Sequence, residues 1–584
     1  MEQLSLLDCP QEVQLQIAEF LAQNDLANLC MTSWHLHNLV QPLLYSTIQI
    51  SWVQQYHPPI VQVFCFIRTL LEKPELCNHV RSLDFDGDSY VDYLDPPEPG
   101  ETPGPPDLPV LPLDRIVKII KRTGVSQTSA DSWISKILYS ERYSYLNVPE
   151  DNDLSIVNKV HKEWADGTMA FLLSLLPGLS RFSASINWCE ETSTLRAVFP
   201  RSLRPTTGDP SHCSFPNLQS LEDVSVASTL GVYLNIDPEN TEEALSMFYL
   251  PNIRTLSVSI DNPVRFTWPG PLPPNPAFLT SLEIHRLREC HLAPILSATK
   301  GLKWLRYNWF YRPDVDEDVS TDIVMLGTMA KAFLEVSETL EELQITAQVE
   351  PALSQGEYEP PEVTFQESLI QLSRMSRLKA LQVPWSFLIG SGTLFTAKQI
   401  GPALPVTLHH LTLSCEFMEG RDEALVLALE REFESGALSN ATSLKGIYLP
   451  PRSSYPSYRH QYAKLQSTGR HDYVAVDPGT GAIGVWLNGC GDPDTSKKKH
   501  RVVFTEAPDG HWVIKQRPVG ADVFFEYCGF DNVYKGKQAL LSKPDDAKFP
   551  FAFTSMKKLY DHSCFYLGGT YRVVVVSPRK SVLA

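Results

Sequence analysis

Three hydrophobic rhythms follow one another along the chain. In the first fifty residues Val13, Ile17, Phe20 and Leu21 recur at the three-to-four spacing of a helix face, then Leu26 and Leu29, then Leu36, Leu39, Val40 and Leu43. The pattern predicts three short helices. Asp8, with Gln11 three residues on, reads as a capping box that leaves Pro10 in the first turn; Asn24 reads as the cap of the second helix, and the third starts near Ser33. Roughly twenty residues between Leu4 and Ile50 are large and apolar, more than three short helices hide by themselves. Either the rest of the chain or a partner covers the surplus.

The second rhythm is an LxxLx[L/I/V] signature. It stands at Val80-Leu83-Phe85, Ile253-Leu256-Val258, Leu279-Leu282-Ile284, Leu340-Leu343-Ile345, Leu378-Leu381-Val383 and Leu408-Leu411-Leu413. Weaker copies are Leu179-Phe182-Ala184, Leu302-Leu305-Tyr307 and Leu444-Ile447-Leu449, while Leu218-Leu221 runs into Val224 and Val226 with a one-residue slip that suggests a bulge. From Phe182 onward the copies recur every 23 to 39 residues, inside the window of a solenoid repeat. Helical patterns lie between them at Trp164–Leu176, Ile323–Leu340, Phe365–Leu378 and Glu423–Phe433. Strand alternating with helix implies a parallel sheet and an α/β fold. The third rhythm, beyond a Pro- and Ser-rich linker at 451–457, is one of short strands around turns: Tyr473–Val476 with Ile483–Leu487, Arg501–Thr505 with His511–Lys515, then Val523–Tyr527 and Tyr571–Val576.

Composition refines this outline. The net charge is −18, which argues against a general nucleic-acid binder. No apolar run is long enough to span a bilayer, and Met1–Pro10 lacks the basic region of a secretory signal. The eleven cysteines form no CxxC and no zinc spacing. They read as mostly buried thiols in a reducing compartment, cytoplasmic or nuclear. Residues 84–114 carry eight prolines, nine acids and no Lys or Arg, the composition of a disordered insert. A smaller insert of the same kind covers Glu350–Glu362.

Cys9-Pro10-Gln11-Glu12-Val13, followed by Ile17, Phe20-Leu21, Asp25-Leu26, Leu29, Ser33, Leu36 and Leu39 and the sequel Gln41-Pro42-Leu43-Leu44-Tyr45, resembles the F-box, in its fungal form with degenerate leucine-rich repeats. The resemblance covers about residues 4–50. It implies docking on the Skp-type adaptor of a cullin–RING ubiquitin ligase through Pro10, Val13, Ile17, Leu21, Leu26 and Leu29. Cys9 replaces the usual leucine, and residues 1–50 hold five acids and no Lys or Arg, where the family places basic residues in the third helix. Farther on, Gly469–Asp477 with Trp486-Leu487-Asn488-Gly489 resembles one FG-GAP-type propeller blade. The family's calcium loop is not matched, since Gln466 and Thr468 stand where acids belong.

Catalytic motifs are missing. Gly479-Thr480-Gly481-Ala482-Ile483-Gly484 spells GxGxxG, but between two strands, without a helix N-terminus to receive phosphate. His35 and His37 are expected to face different ways on a helix, and His409 and His410 to take opposite faces of a strand. Lys497–Arg501 reads as a solvated charge run. The expectation is therefore an α/β protein: an F-box helical unit (1–50), an irregular leucine-rich-repeat solenoid (51–450, with the 84–114 insert), the 451–457 linker and a β-rich domain (458–584). The implied role is a non-catalytic substrate receptor, with no cofactor or metal and no nucleic-acid or membrane partner. Its partners are the Skp-type adaptor, through it the cullin, and a target protein. The alternatives are a repeat scaffold outside any ligase, or a ligand- or glycan-binding β module that uses aromatics such as Trp486 and Trp512.

Overall fold

The computed structural model describes residues 6–55, 57–87, 108–138, 154–189, 194–195, 218–226, 241–260, 262–313, 320–351, 361–389, 400–414, 432 and 441–448, and the backbone of seven strands between Tyr473 and Val576. The chain is mixed helix and strand. It divides into two compact units, Met1–Leu287 and Arg288–Ala584.

The first unit opens with a 3₁₀ turn, Leu6–Asp8, and three helices: α1 (Gln11–Glu19), α2 (Gln23–Thr32) and α3 (Trp34–Leu44). Two caps differ from the sequence reading. Pro10, not Asp8, precedes α1, because the 3₁₀ turn closes first through Cys9 N–H to the Leu6 carbonyl, and the Pro10 carbonyl then accepts from Val13 and Gln14. Ala22 precedes α2, which takes Asn24 inside its first turn. Ser33 does cap α3: its hydroxyl accepts the Leu36 N–H at 3.2 Å. Ala18, Leu26, Cys30, Leu36, Leu39 and Val40 form the core between the helices.

Six parallel strands then follow in chain order: β1 (Thr47–Ser51), β2 (Ser82–Asp86), β3 (Arg181–Ala184), β4 (Asp223–Val226), β5 (Thr255–Ser259) and β6 (Ser281–His285). Ile48, Leu83, Phe182, Val224, Leu256 and Leu282 are mutual partners along this ladder. The register makes Leu221-Val224-Val226 the third copy of the motif, so the slip assigned to Leu218-Leu221 is no bulge; Leu218 belongs to the preceding 3₁₀ turn. β1 is a strand the leucine spacing does not announce. Helix α4 (Ile60–Glu72) buries Ile60, Val63, Phe64, Ile67, Leu70 and Leu71. It is followed by α5 (Leu113–Arg122), α6 (Gln127–Ile137), the long α7 (Leu154–Leu175) and the short α8 (Thr241–Met247).

The ends of the expected 84–114 insert are ordered: Asp84–Asp86 finish β2 and Leu113–Asp114 begin α5, while 88–107 lie outside the described residues. Composition alone missed this because Phe85 and Leu111 are buried anchors. An aromatic cluster locks the region. Trp188 packs on Trp52, Phe85 and Trp164 with ring centroids 5.4, 4.6 and 6.0 Å away. Its indole N–H donates to the Asp86 carbonyl at 3.1 Å. Gly87 next to it has φ +146°, and a Cβ there would collide with the Trp52 carbonyl.

In the second unit, α9 (Glu289–Ala298) leads into β7 (Trp304–Tyr311), β8 (Ile323–Met325), α10 (Leu326–Phe333), β9 (Glu342–Val349), β10 (Thr364–Gln366), β11 (Ala380–Pro384), α11 (Trp385–Ile389), β12 (His410–Ser414) and β13 (Gly446–Tyr448). β7, β9, β11, β12 and β13 are parallel neighbours in that order, with Leu305, Leu343, Leu381, Leu411 and Ile447 in register. Leu378, Leu381 and Val383 show how one motif sinks three side chains to one side; all three are buried. Two expected helices are partly something else. Ile323–Met325 and Thr364–Gln366 pair as a small parallel sheet, and only a 3₁₀ turn, Ile370–Arg374, represents Phe365–Leu378. Short apolar runs read alike in both periods, so spacing does not separate them. Of Glu423–Phe433 only Glu432 is described, and the linker at 451–457 lies outside.

Farther on, β14 (Tyr473–Val476), β15 (Ile483–Trp486), β16 (Arg501–Glu506) and β17 (Trp512–Gln516) pair antiparallel in sequence. β18 (Asp522–Cys528) pairs antiparallel with both β19 (Ala539–Leu540) and β20 (Thr570–Val576).

Candidate functional site

Two surfaces carry unusual chemistry. The first is the outer face of α1. A nine-residue helix that buries Gln14 and Ala18 turns Val13 and Ile17 outward one turn apart, with Phe20 at its end. Val13 is 39% exposed, Ile17 41% and Phe20 90%. Met31 and Trp34, at the α2–α3 junction, are 78% and 77% exposed. The helical core beneath is already filled, so these side chains have no place in it.

The six sequence-predicted contact residues divide here. Pro10, Val13 and Ile17 lie on the exposed side. Leu21 and Leu29 are half-buried against the helical core, and Leu26 is buried within it, so Leu26 supports the face rather than forming it. Phe20, Met31 and Trp34 are surface residues the contact set did not include. Phe20 could have been found, since it sits three residues after Ile17 and seven after Val13.

Polar chemistry holds the face in shape. Gln14 donates to the Leu6 and Cys9 carbonyls at 3.2 and 2.8 Å, and its carbonyl oxygen lies 2.9 Å from His35 Nε2. His37 stacks on Trp34 with ring centroids 5.6 Å apart. The two histidines thus serve different neighbours, and burial lifts the Cys30 thiol above its usual range.

The second surface is the unburied side of the parallel strands. In the first unit its charges are matched across neighbouring strands: Arg181 with Asp223 at 3.3 Å and Arg254 with Glu222 at 3.2 Å. In the second unit the residues preceding β7, β9, β11, β12 and β13 run Lys303, Glu341, Lys379, His409, Lys445. His409 and His410 do not take opposite faces. Leu408 and Leu411 fill the core, and both imidazoles stay out of it, 6.3 Å apart and edge-on.

Among the described residues no three His, Cys, Asp or Glu side chains gather as metal ligands, and no helix is long and apolar enough to cross a membrane. Of the six described cysteines, Cys30 and Cys77 are buried while Cys65 and Cys290 are exposed, so the thiols are less uniformly buried than expected. No family model matches the chain, and no curated protein matches it.

Proposed function

We propose that the chain is a non-catalytic substrate receptor of an SCF-type ubiquitin ligase. The α1–α3 unit docks a Skp-type adaptor, and the parallel strands belong to a leucine-rich-repeat solenoid that presents a target protein. The cullin joins through the adaptor, in the cytoplasm or nucleus. In this reading residues 458–584 form a β-rich domain of their own.

One observation carries the reading. The helical unit has a complete core of its own, yet it leaves Val13, Ile17, Phe20, Met31 and Trp34 in water. Burying a large apolar side chain stabilises by about 1.5–3 kcal/mol, so a face of this kind favours a partner over solvent. Proximity then supplies the function: a tethered target meets the charged conjugating enzyme at high effective concentration.

The test is copurification of the full chain with a Skp-type adaptor, beside Ile17→Asp and Phe20→Asp. Both side chains are exposed, so the variants place a charge in the interface without placing one in the fold's own core. The expected result is a stoichiometric complex that both variants lose. Equal recovery of all three proteins would sink the proposal.

A further inference from the structure

The row of residues just before β7, β9, β11, β12 and β13 of the second unit holds three lysines and a histidine to one acid, in a chain of net charge −18. Backbone hydrogen bonds fix its order: Glu341 N–H to the Lys303 carbonyl, Lys379 to Glu341, His409 to Lys379 and Lys445 to His409. Neighbouring parallel strands stand about 4.8 Å apart, so Lys379, His409 and Lys445 follow one another across about 10 Å. Lys303, Lys379 and Lys445 are exposed and His409 partly so, because the leucine just before each of them (Leu302, Leu378, Leu408 and Leu444) takes the core.

The row behaves as one electrostatic group. Lys379 pairs with Glu341, whose carboxyl is held below its usual range first by Lys379 and then by Lys303 and Arg377. The imidazole of His409 is lowered by desolvation and by Lys445 and Lys379 on either side. Glu341 and Glu342 place their acids on the β9 side, where Glu341 pairs with Lys379; among the described residues the charged or imidazole side chains along β11, β12 and β13 are Lys379, His409, His410 and Lys445. Among the described residues neither Lys303 nor Lys445 is held in an ion pair, whereas the exposed cations Lys300 and Lys331 of the same unit are, by Glu335 and Glu367. Beside the basic row runs a neutral one, Gln344, Gln382 and Thr412 in register, able to hydrogen-bond a peptide backbone.

We propose that Lys379, His409 and Lys445 form a docking strip for an extended acidic peptide segment of a protein partner, laid across β11, β12 and β13. The spacing fits a segment in the extended polyproline II conformation, with three residues per turn and about 3.1 Å per residue: carboxylates three residues apart lie on one face about 9 Å apart and meet Lys379 and Lys445, with His409 beneath the backbone between them. The strip rests on the proposed function only in making that segment part of a ligase target.

The test is fluorescence anisotropy of the full chain, without adaptor, using a labelled nine-residue peptide with glutamate at every third position and its glutamine counterpart. The glutamate peptide binds and the glutamine peptide does not. Lys379→Glu/Lys445→Glu weakens binding about tenfold or more, and Lys445→Glu alone about threefold. Lys300→Glu/Lys331→Glu, which changes net charge equally, stays within about twofold of the parent. Bound peptide raises the titration midpoint of the His409 ring, followed by NMR against His409→Gln. Equal binding of both peptides, equal loss in both double variants, an unmoved His409 ring, or displacement by equimolar inorganic phosphate would each overturn the strip. Because the adaptor is left out, such a failure leaves adaptor docking standing, and a failed adaptor copurification leaves the strip standing.

Discussion

Gln14 and His35 are joined side chain to side chain at 2.9 Å across two helices, and the same amide of Gln14 grips the carbonyls of Leu6 and Cys9. A residue 3% exposed on α1 thereby fixes the segment before that helix and the first turn of α3. Removing it takes a donor from the part-buried Leu6 and Cys9 carbonyls and a partner from His35, the Leu6 carbonyl keeping the Cys9 N–H, at about 1–3 kcal/mol. Gln14→Leu is expected to lower the stability of the helical unit by about 2 kcal/mol. It should also open Leu6–Cys9 to amide exchange, read by hydrogen–deuterium exchange of the full chain. Unchanged protection at Leu6–Cys9 would show that the amide does not organise the entry to α1.

His161 gives a pH dependence. Desolvation dominates and lowers its imidazole to about 4, against a hydrogen bond involving the Gln55 backbone that raises it; the ring packs edge-on against Trp52 at 6.2 Å. Between pH 6.5 and pH 4 the unfolded chain takes up this proton and the native chain does not. Stability from this site is therefore complete above pH 6.5 and falls as pH drops towards 4, by on the order of 3 kcal/mol in all. Denaturant titrations at several pH values check it. The difference curve against His161→Phe should slope only in that window, and a flat difference would refute the assignment.

Arg288 and Glu289 form a buried pair at 3.2 Å, with side chains 2% and 3% exposed. The guanidinium donates to the carbonyls of Thr321 and Ile323 and lies 4.5 Å over Trp309, while the carboxylate accepts from the Trp309 indole and the Met325 N–H. The pair thus ties the start of α9 to β7 and β8. Glu289→Gln keeps the shape and leaves the guanidinium charge uncompensated, at an expected cost of about 3–5 kcal/mol. Arg288→Met added to it should recover part of the loss. Chemical denaturation of the two variants decides it: a double variant less stable than Glu289→Gln alone would contradict the charge argument.

Much of this is legible in the sequence alone. The leucine motif placed the parallel strands because each copy puts three apolar side chains at fixed offsets, and β2, β3, β5, β6, β7, β9, β11 and β12 formed where those offsets stood. β1 escaped notice because only Ile48 and Ile50 alternate there, and its pairing with β2 comes from far along the chain. Ile323–Met325 looked helical for the opposite reason: a short apolar run is equally at home in either period until a partner strand, Thr364–Gln366, decides it. The helical face was half legible. Spacing named Val13 and Ile17, but exposure depends on which helix packs where, and that moved Leu26 inward and left Phe20 and Trp34 outside.

That division between surface and core separates binding from folding in a way six similar-looking residues did not. Leu26 is 8% exposed and packs with Ala18, Cys30, Leu36, Leu39 and Val40. Leu26→Ala should cost about 2–5 kcal/mol, melting the helical unit and losing any adaptor complex with it. Ile17→Ala and Phe20→Ala remove side chains that are 41% and 90% exposed, so each should change stability by under about 1 kcal/mol. Under the proposed function they should still weaken adaptor binding, since a partner that buries them loses about 1.5–3 kcal/mol per side chain, or ten- to a hundredfold in affinity. Thermal denaturation beside calorimetric titration of the adaptor measures both. If Phe20→Ala and Ile17→Ala bind as tightly as the parent while Leu26→Ala alone fails, the exposed face is not the docking surface and only the integrity of the helices matters.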